Sequence, residues 1–103
     1  MVTDKNKEQF EKWYFTKSYY VMFDQLPFEM QIGVYLAYYD SLEGNKYIAD
    51  YDINMCSWFV WIISKGNRVK MLRNDDDKVL WFKSRKSAEI SMLEKANELI
   101  NKI

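Results

Sequence analysis

Four groups of side chains in this 103-residue sequence have types and spacings that can do chemistry. The run Asp75-Asp76-Asp77 offers carboxylates, the donors that hard cations such as Mg²⁺ and Ca²⁺ take. Adjacent side chains in a turn diverge, however, and no calcium-loop spacing follows. The run therefore reads as a solvated turn, where Asp is favoured. Asp50 and Asp52 stand two apart, which puts both on one face of a strand. Paired carboxylates can carry acid–base work, but a period of two also sets polar groups on the wet face of any half-buried strand. Lys65, Arg68, Lys70 and Arg73 form a basic cluster that can meet phosphates or guard a hairpin edge against aggregation. Cys56 is the only cysteine. It lies among apolar residues and is expected to be a buried small hydrophobe rather than a nucleophile.

Just as much chemistry is excluded. The chain has no histidine, which removes His-based triads, His metal sites and His pH switches. With three glycines it has no Gly-rich phosphate loop, and no CxxC, HExxH or GxSxG occurs. The expectation is a protein with no catalytic residues, no metal and no cofactor. One cysteine allows no internal disulfide and suits a reducing compartment. No apolar run approaches the 18 residues of a membrane span, and the charged N-terminus is unlike a secretory signal. A cytoplasmic protein that avoids membranes, monomeric or homodimeric, is expected.

Such residues must be positioned by one core, since the length suits a single domain over 1–103. Apolar residues make up 49% of the chain and aromatics 17%, enough that some rings must reach the surface. Exposed rings are common anchors of binding interfaces. Net charge is zero, yet residues 1–55 hold five Lys against nine acids, while residues 56–103 hold ten basic residues against six acids.

The spacing predicts a helix over 4–18, with Phe10, Trp13 and Tyr14 on one face and Asn6 and Gln9 as a capping pair. Residues 19–26 read as a connector. Pro27 opens a second helix with a stripe of Phe28, Ile32, Tyr35, Tyr39 and Leu42. Gly33 inside it suggests close contact with another element, and Gly44-Asn45 ends it. Residues 46–53 alternate, with Tyr47, Ala49, Tyr51 and Ile53 on one face. Residues 57–64 are the strongest strand. Lys65-Gly66-Asn67 makes a hairpin turn, Arg68–Arg73 a return strand, Asn74–Asp77 a second turn, and Lys78–Lys83 a further strand. Ser84 caps a last helix reaching about residue 102, with the stripe Ala88, Met92, Ala96, Leu99 and Ile103. The fold class is α+β: two N-terminal helices, a three- to four-stranded antiparallel meander, and a C-terminal helix packed on the sheet.

Two resemblances follow from particular residues. Phe10-Glu11-Lys12-Trp13-Tyr14, then Phe23-Asp24-Gln25-Leu26-Pro27-Phe28-Glu29-Met30-Gln31-Ile32-Gly33-Val34-Tyr35, then Tyr38-Tyr39-Asp40-Ser41, then Phe82-Lys83-Ser84-Arg85-Lys86-Ser87-Ala88-Glu89, and last Glu94-Lys95-Ala96-Asn97-Glu98-Leu99 run in the order seen in small accessory proteins of tailed bacteriophages and prophages. The chain resembles that group over nearly its whole length. It departs at Ser84, where Thr is usual, and at Ser91-Met92, where an Ala pair is usual. The resemblance implies a phage setting more than an activity. With catalytic motifs missing, aromatics in excess and charge segregated, the expected function is a phage-encoded, non-enzymatic protein that inhibits a host protein, with a defence component such as a CRISPR effector or restriction nuclease as target. Such enzymes present basic surfaces because their substrate is a polyanion. On that reading Asp40, Glu43, Asp50 and Asp52 compete for the surface, with Tyr38, Tyr47 and Tyr51 as anchors. The C-terminal half is also similar to a double-stranded-RNA-binding domain, whose basic helix start meets phosphates. That similarity implies a nucleic-acid-binding alternative through Lys70, Arg73, Arg85 and Lys86. Glu89 departs from it, standing where that family has a lysine.

Overall fold

A computed structural model describes residues 2–17, 21–64 and 68–102. The expected hairpin turn at Lys65-Gly66-Asn67 lies outside them, as does Ile103. The described elements are α1 (Asp4–Thr16), a short 3-10 turn (Phe23–Gln25), α2 (Phe28–Ser41), β1 (Lys46–Asp52), β2 (Ser57–Ser64), β3 (Arg68–Met71) and α3 (Arg85–Asn101). The protein is α+β, with a three-stranded antiparallel sheet of order β1-β2-β3 and α3 packed on it. The chain forms two compact units, Met1–Leu42 with Leu93–Ile103, and Glu43–Met92. Their boundary falls inside α3.

The first unit is helical. Phe10 of α1 and Ile32, Tyr35, Tyr38 and Tyr39 of α2 are its buried side chains, together with Leu93 and Ala96 of α3. Phe10 is ringed by aromatics, with centroids 4.9 Å from Tyr35, 5.0 Å from Phe23 and 5.2 Å from Tyr38. Tilted and edge-on rings at these distances attract beyond their area burial. Asn6 does not cap α1 as its position in the sequence suggests. Thr3 stands at the N-cap, and Asn6 is turned inward and fully buried. Its Nδ2 donates to Tyr39 Oη and to Asn97 Oδ1, both at 2.9 Å. Its Oδ1 accepts from Tyr38 Oη at 2.8 Å, and its backbone N–H donates to Asn101 Oδ1 at 3.0 Å. A buried amide is tolerated because every polar atom finds a partner.

Gly33 also departs from expectation. It is exposed, and a Cβ built on it meets nothing within 4 Å, so no close approach requires glycine there. Gly33→Ala should therefore stabilise the protein by about 1 kcal/mol, the helix-propensity difference between the two residues. Urea unfolding would check this, and a loss of stability would mean that the site does need glycine.

The second unit is built on β2. Its β-branched and aromatic run, Trp58-Phe59-Val60-Trp61-Ile62-Ile63, favours the pleated strand. Register is regular on both sides, with Ile48 opposite Trp61, Ala49 opposite Val60, and Trp61 opposite Met71. Residues directly opposite share a face, which sorts the side chains into two sets. Val60 and Ile62 form a buried inner face, joined by Leu72, whose N–H donates to Val60 O. Ala88 and Met92 of α3 are buried in the same unit. Residues 78–83 do not form the expected fourth strand. The chain turns at Asn74, whose Oδ1 accepts from Asp76 and Lys78 N–H. It returns through the single bridges Arg73↔Val79 and Trp58↔Phe82, so Phe82 takes the place beside β2 that β3 has left.

Ser84 does cap α3, its Oγ accepting from Ser87 N–H at 3.1 Å. Cys56, expected to be buried, is exposed and has φ 49°. The carboxylate of Asp52 accepts from Asn54 and Met55 N–H and folds the β1–β2 connection tightly. Cys56 closes that turn in the left-handed region instead of entering the core.

Candidate functional site

The unusual surface is the outer face of the sheet. An open antiparallel sheet normally turns polar side chains to water on the face opposite its core. Here that face carries Ile48 from β1, Trp61 and Ile63 from β2, and Val69 and Met71 from β3. Ile48 is 48% exposed and Val69 56%, while Trp61, Ile63 and Met71 are half-buried. Phe59, on the same face, is sheltered by the rings of Trp61 and Trp81, at 5.0 and 5.7 Å. The Trp61 indole is fixed by its N–H, which donates to Asp50 Oδ2 at 3.2 Å. Lys46, Asp50 and Asp52 border the apolar row on β1. The result is an apolar centre with a charged rim.

The helical unit holds a second concavity of about 880 Å³, walled by Phe10, Tyr14, Phe15, Phe23 and Tyr35. Its rim carries Lys7, Glu11 and Asp24, with Lys7 Nζ 4.0 Å from Glu11. The size suits a small apolar ligand.

The residues singled out from the sequence are scattered among these features. Tyr38 is corrected outright. It is 0% exposed, bonded to Asn6, and cannot touch a partner. Asp40 is exposed on α2 in the helical unit, whereas Glu43 belongs to the sheet unit. Asp50 and Asp52 do share the outer face, but each already has work: Asp50 holds Trp61 and Tyr51 N–H, and Asp52 holds the following turn. Tyr47 and Tyr51 lie on the inner face. Burial pushes the Tyr47 phenol above its ordinary value, against a hydrogen bond to Asn45 that lowers it. Tyr51 is 46% exposed and packs edge-on against Trp58, with centroids 5.3 Å apart.

The basic set is largely engaged. Arg73 Nη1 donates to Asp77 O at 2.9 Å and its Nε lies 3.8 Å from the Asp77 carboxylate, so it staples the 74–77 turn. Arg85 Nε lies 3.9 Å from Glu89. Lys70 is exposed, but it pairs with Ile62 and so projects from the face opposite Trp61. Lys86 is exposed in the first turn of α3. Among the described residues no three Cys, Asp or Glu side chains gather to hold a metal ion, and the carboxylates of Asp75–Asp77 are exposed and spread along their turn.

Ile48, Ile63, Val69 and Met71 were not legible as a site. β2 is apolar on both faces, so its sequence does not say which face is covered, and only the register assigns Ile48 and Met71 to the row of Trp61. No family model matches the chain, and no match is found among curated proteins or solved structures. No helix among the described residues is long and apolar enough to cross a membrane.

Proposed function

We propose that this protein acts by covering a surface of another protein with the outer face of its sheet, as an inhibitor rather than an enzyme. The observation that carries this reading is the apolar row Ile48–Trp61–Met71, in which Ile48 is exposed beside exposed Val69 and Trp61 and Met71 are only partly covered, where an isolated domain would place polar residues. Asp50 and Asp52 border that row at one end and Lys46 at the other, so the matching surface is basic where it meets the two aspartates. A host enzyme that handles nucleic acid has such a surface, and the resemblance to phage accessory proteins supplies the setting in which blocking one is useful. A defence nuclease of the CRISPR-effector or restriction class is the target proposed. Binding RNA or DNA directly is the weaker reading. Arg73 and Arg85 are ion-paired within the chain, and Lys70 points away from the aromatic row.

Trp61→Ala should weaken binding to the target nuclease by about 30-fold or more, since a central Trp is worth about 2 kcal/mol or more at an interface. Lys70→Glu should change it little. Titration calorimetry against purified nucleases of these classes, in roughly 150 mM salt, would read both. Tight RNA binding at that salt, lost in Lys70→Glu and kept in Trp61→Ala, would reject the inhibitor reading.

A further inference from the structure

The outer edge of β1 has a self-complementary pattern. Leu72 N–H donates to Val60 O at 2.8 Å, so Val60 turns its backbone groups toward β3. Backbone direction alternates along a strand. Phe59 and Trp61 therefore bond to β1, where their partners are Asp50 and Ile48. It follows that Tyr47, Ala49 and Tyr51 aim their N–H and C=O groups away from the sheet. The Tyr51 N–H bears this out, being met by the Asp50 side chain at 2.8 Å and not by β2. Among the described residues no strand pairs with this side of β1. The strand is seven residues long, has no proline, and pairs one-to-one with β2 without a bulge. Shortness, proline and a bulge, which commonly discourage edge pairing, are thus missing, and the charges of Lys46, Asp50 and Asp52 are the one such device β1 carries.

We propose that the partner of this edge is a second copy of the chain, joined through antiparallel β1–β1 pairing about a two-fold axis at Ala49. In that register Ala49 faces Ala49 of the second copy, and Tyr47 faces its Tyr51, so every outward residue meets an outward residue. Hydrogen bonds then form at each of these positions, the Tyr51 N–H exchanging the Asp50 carboxylate for the Tyr47 carbonyl of the second copy. Lys46 faces Asp52 of the other copy, twice by symmetry, and opposite charges directly across a pair are favourable. A register centred on Asp50 instead would set Asp50 against Asp50. The two-fold axis lies perpendicular to the sheet, so both apolar outer faces end on the same side of one six-stranded sheet. This is an isologous contact that closes on itself and leaves no β1 edge for further growth.

The test is sedimentation velocity on the full chain from roughly 1 to 300 µM, a range that brackets weak to moderate dimers. The expected result is a monomer–dimer equilibrium. Ala49→Pro removes the central outward N–H at an edge position, where proline is tolerated. It should stay monomeric throughout, with an unchanged circular dichroism spectrum. Lys46→Glu sets a like charge against Asp52 and should weaken the dimer by about 10-fold, less so in high salt. A monomer at every concentration would overturn the proposal. A dimer indifferent to both Ala49→Pro and Lys46→Glu would also overturn it, because the contact would then lie elsewhere. If Ala49→Pro loses the native spectrum, Lys46→Glu alone decides. A loss of dimer with nuclease binding kept would separate this inference from the proposed function.

Discussion

Asn6→Leu is expected to lower the stability of the protein by about 3–4 kcal/mol, more than half of what many small domains have to lose. The side chain volume is nearly kept, so the loss comes from polar atoms. Asn6 is fully buried and serves Tyr38, Tyr39 and Asn97 at 2.8–2.9 Å. With leucine in place the Tyr38 hydroxyl is left without its acceptor inside the unit, and Asn97 Oδ1 loses one of its donors. Each buried group stripped of its partner costs about 1–3 kcal/mol, and members of one network are worth more together than apart. The bland alternative, that an Asn near a helix start is a solvated cap, predicts a change under about 0.5 kcal/mol, as for an exposed site. Urea unfolding followed by tryptophan fluorescence distinguishes the two, provided the m-value is unchanged. Tyr38→Phe is the companion measurement. It removes only the hydroxyl and should cost about 1–2 kcal/mol, less than Asn6→Leu. Equal losses from the two variants would mean that the rest of the network contributes nothing. Burial also pushes the phenols of Tyr35 and Tyr38 above their ordinary value, so both stay neutral across the physiological range.

Leu93→Ala should cost about 2–5 kcal/mol, the range for truncating a buried leucine, with the upper half reached if its surroundings do not collapse. Leu93 is 1% exposed and sits in the middle of α3, the helix in which the boundary between the two units falls. Helix propensity works in the opposite direction, since Ala is the better helix former by a few tenths of a kcal/mol. A loss near zero would therefore mean that Leu93 packs against nothing. Asp76→Ala is the control. Its side chain is exposed in the 74–77 turn, and only its backbone N–H is used, by Asn74. The change there should stay under about 0.5 kcal/mol. Thermal melts of the two variants beside the wild type give the comparison directly.

Much of the architecture could be read from local chemistry. The aromatic face of α1, the β-branched run of β2 and the Ser84 cap of α3 are short-range signals, and each is found where spacing and capping rules put it, while Pro27 stands one place earlier than expected, at the N-cap of α2 rather than in its first turn. The alternation of β1 likewise separated Tyr47, Ala49 and Tyr51 from Asp50 and Asp52 correctly. Readings of Asn6 and Tyr38 failed because their fate depends on partners far along the chain, and those of Cys56 and Gly33 because composition does not give turn geometry or neighbouring space. Asn6 looked like a cap because capping is a local property, while its actual partners Asn97 and Asn101 lie more than 90 positions away. Tyr38 looked like a binding anchor because an aromatic near acids fits an interface. Its ring is instead enclosed by Phe10, Trp13 and Tyr39. Cys56 looked buried because its neighbours are apolar, and the Asp52-capped turn swings it outward. Gly33 looked like a packing contact because glycine weakens helices, yet the space beside it is empty.

The sequence by itself therefore determined the α+β class, the order of the main elements and the alternation of β1, because periodicity and caps act within a few residues. Tertiary structure alone decided which side of β2 is covered. That strand is apolar on both sides, so its own residues carry no preference. The choice was made by register, which sets Ile48 and Met71 beside Trp61, and by the core that closes over Val60, Ile62 and Leu72. For the same reason the open row on the outer face became visible only once the strands were paired.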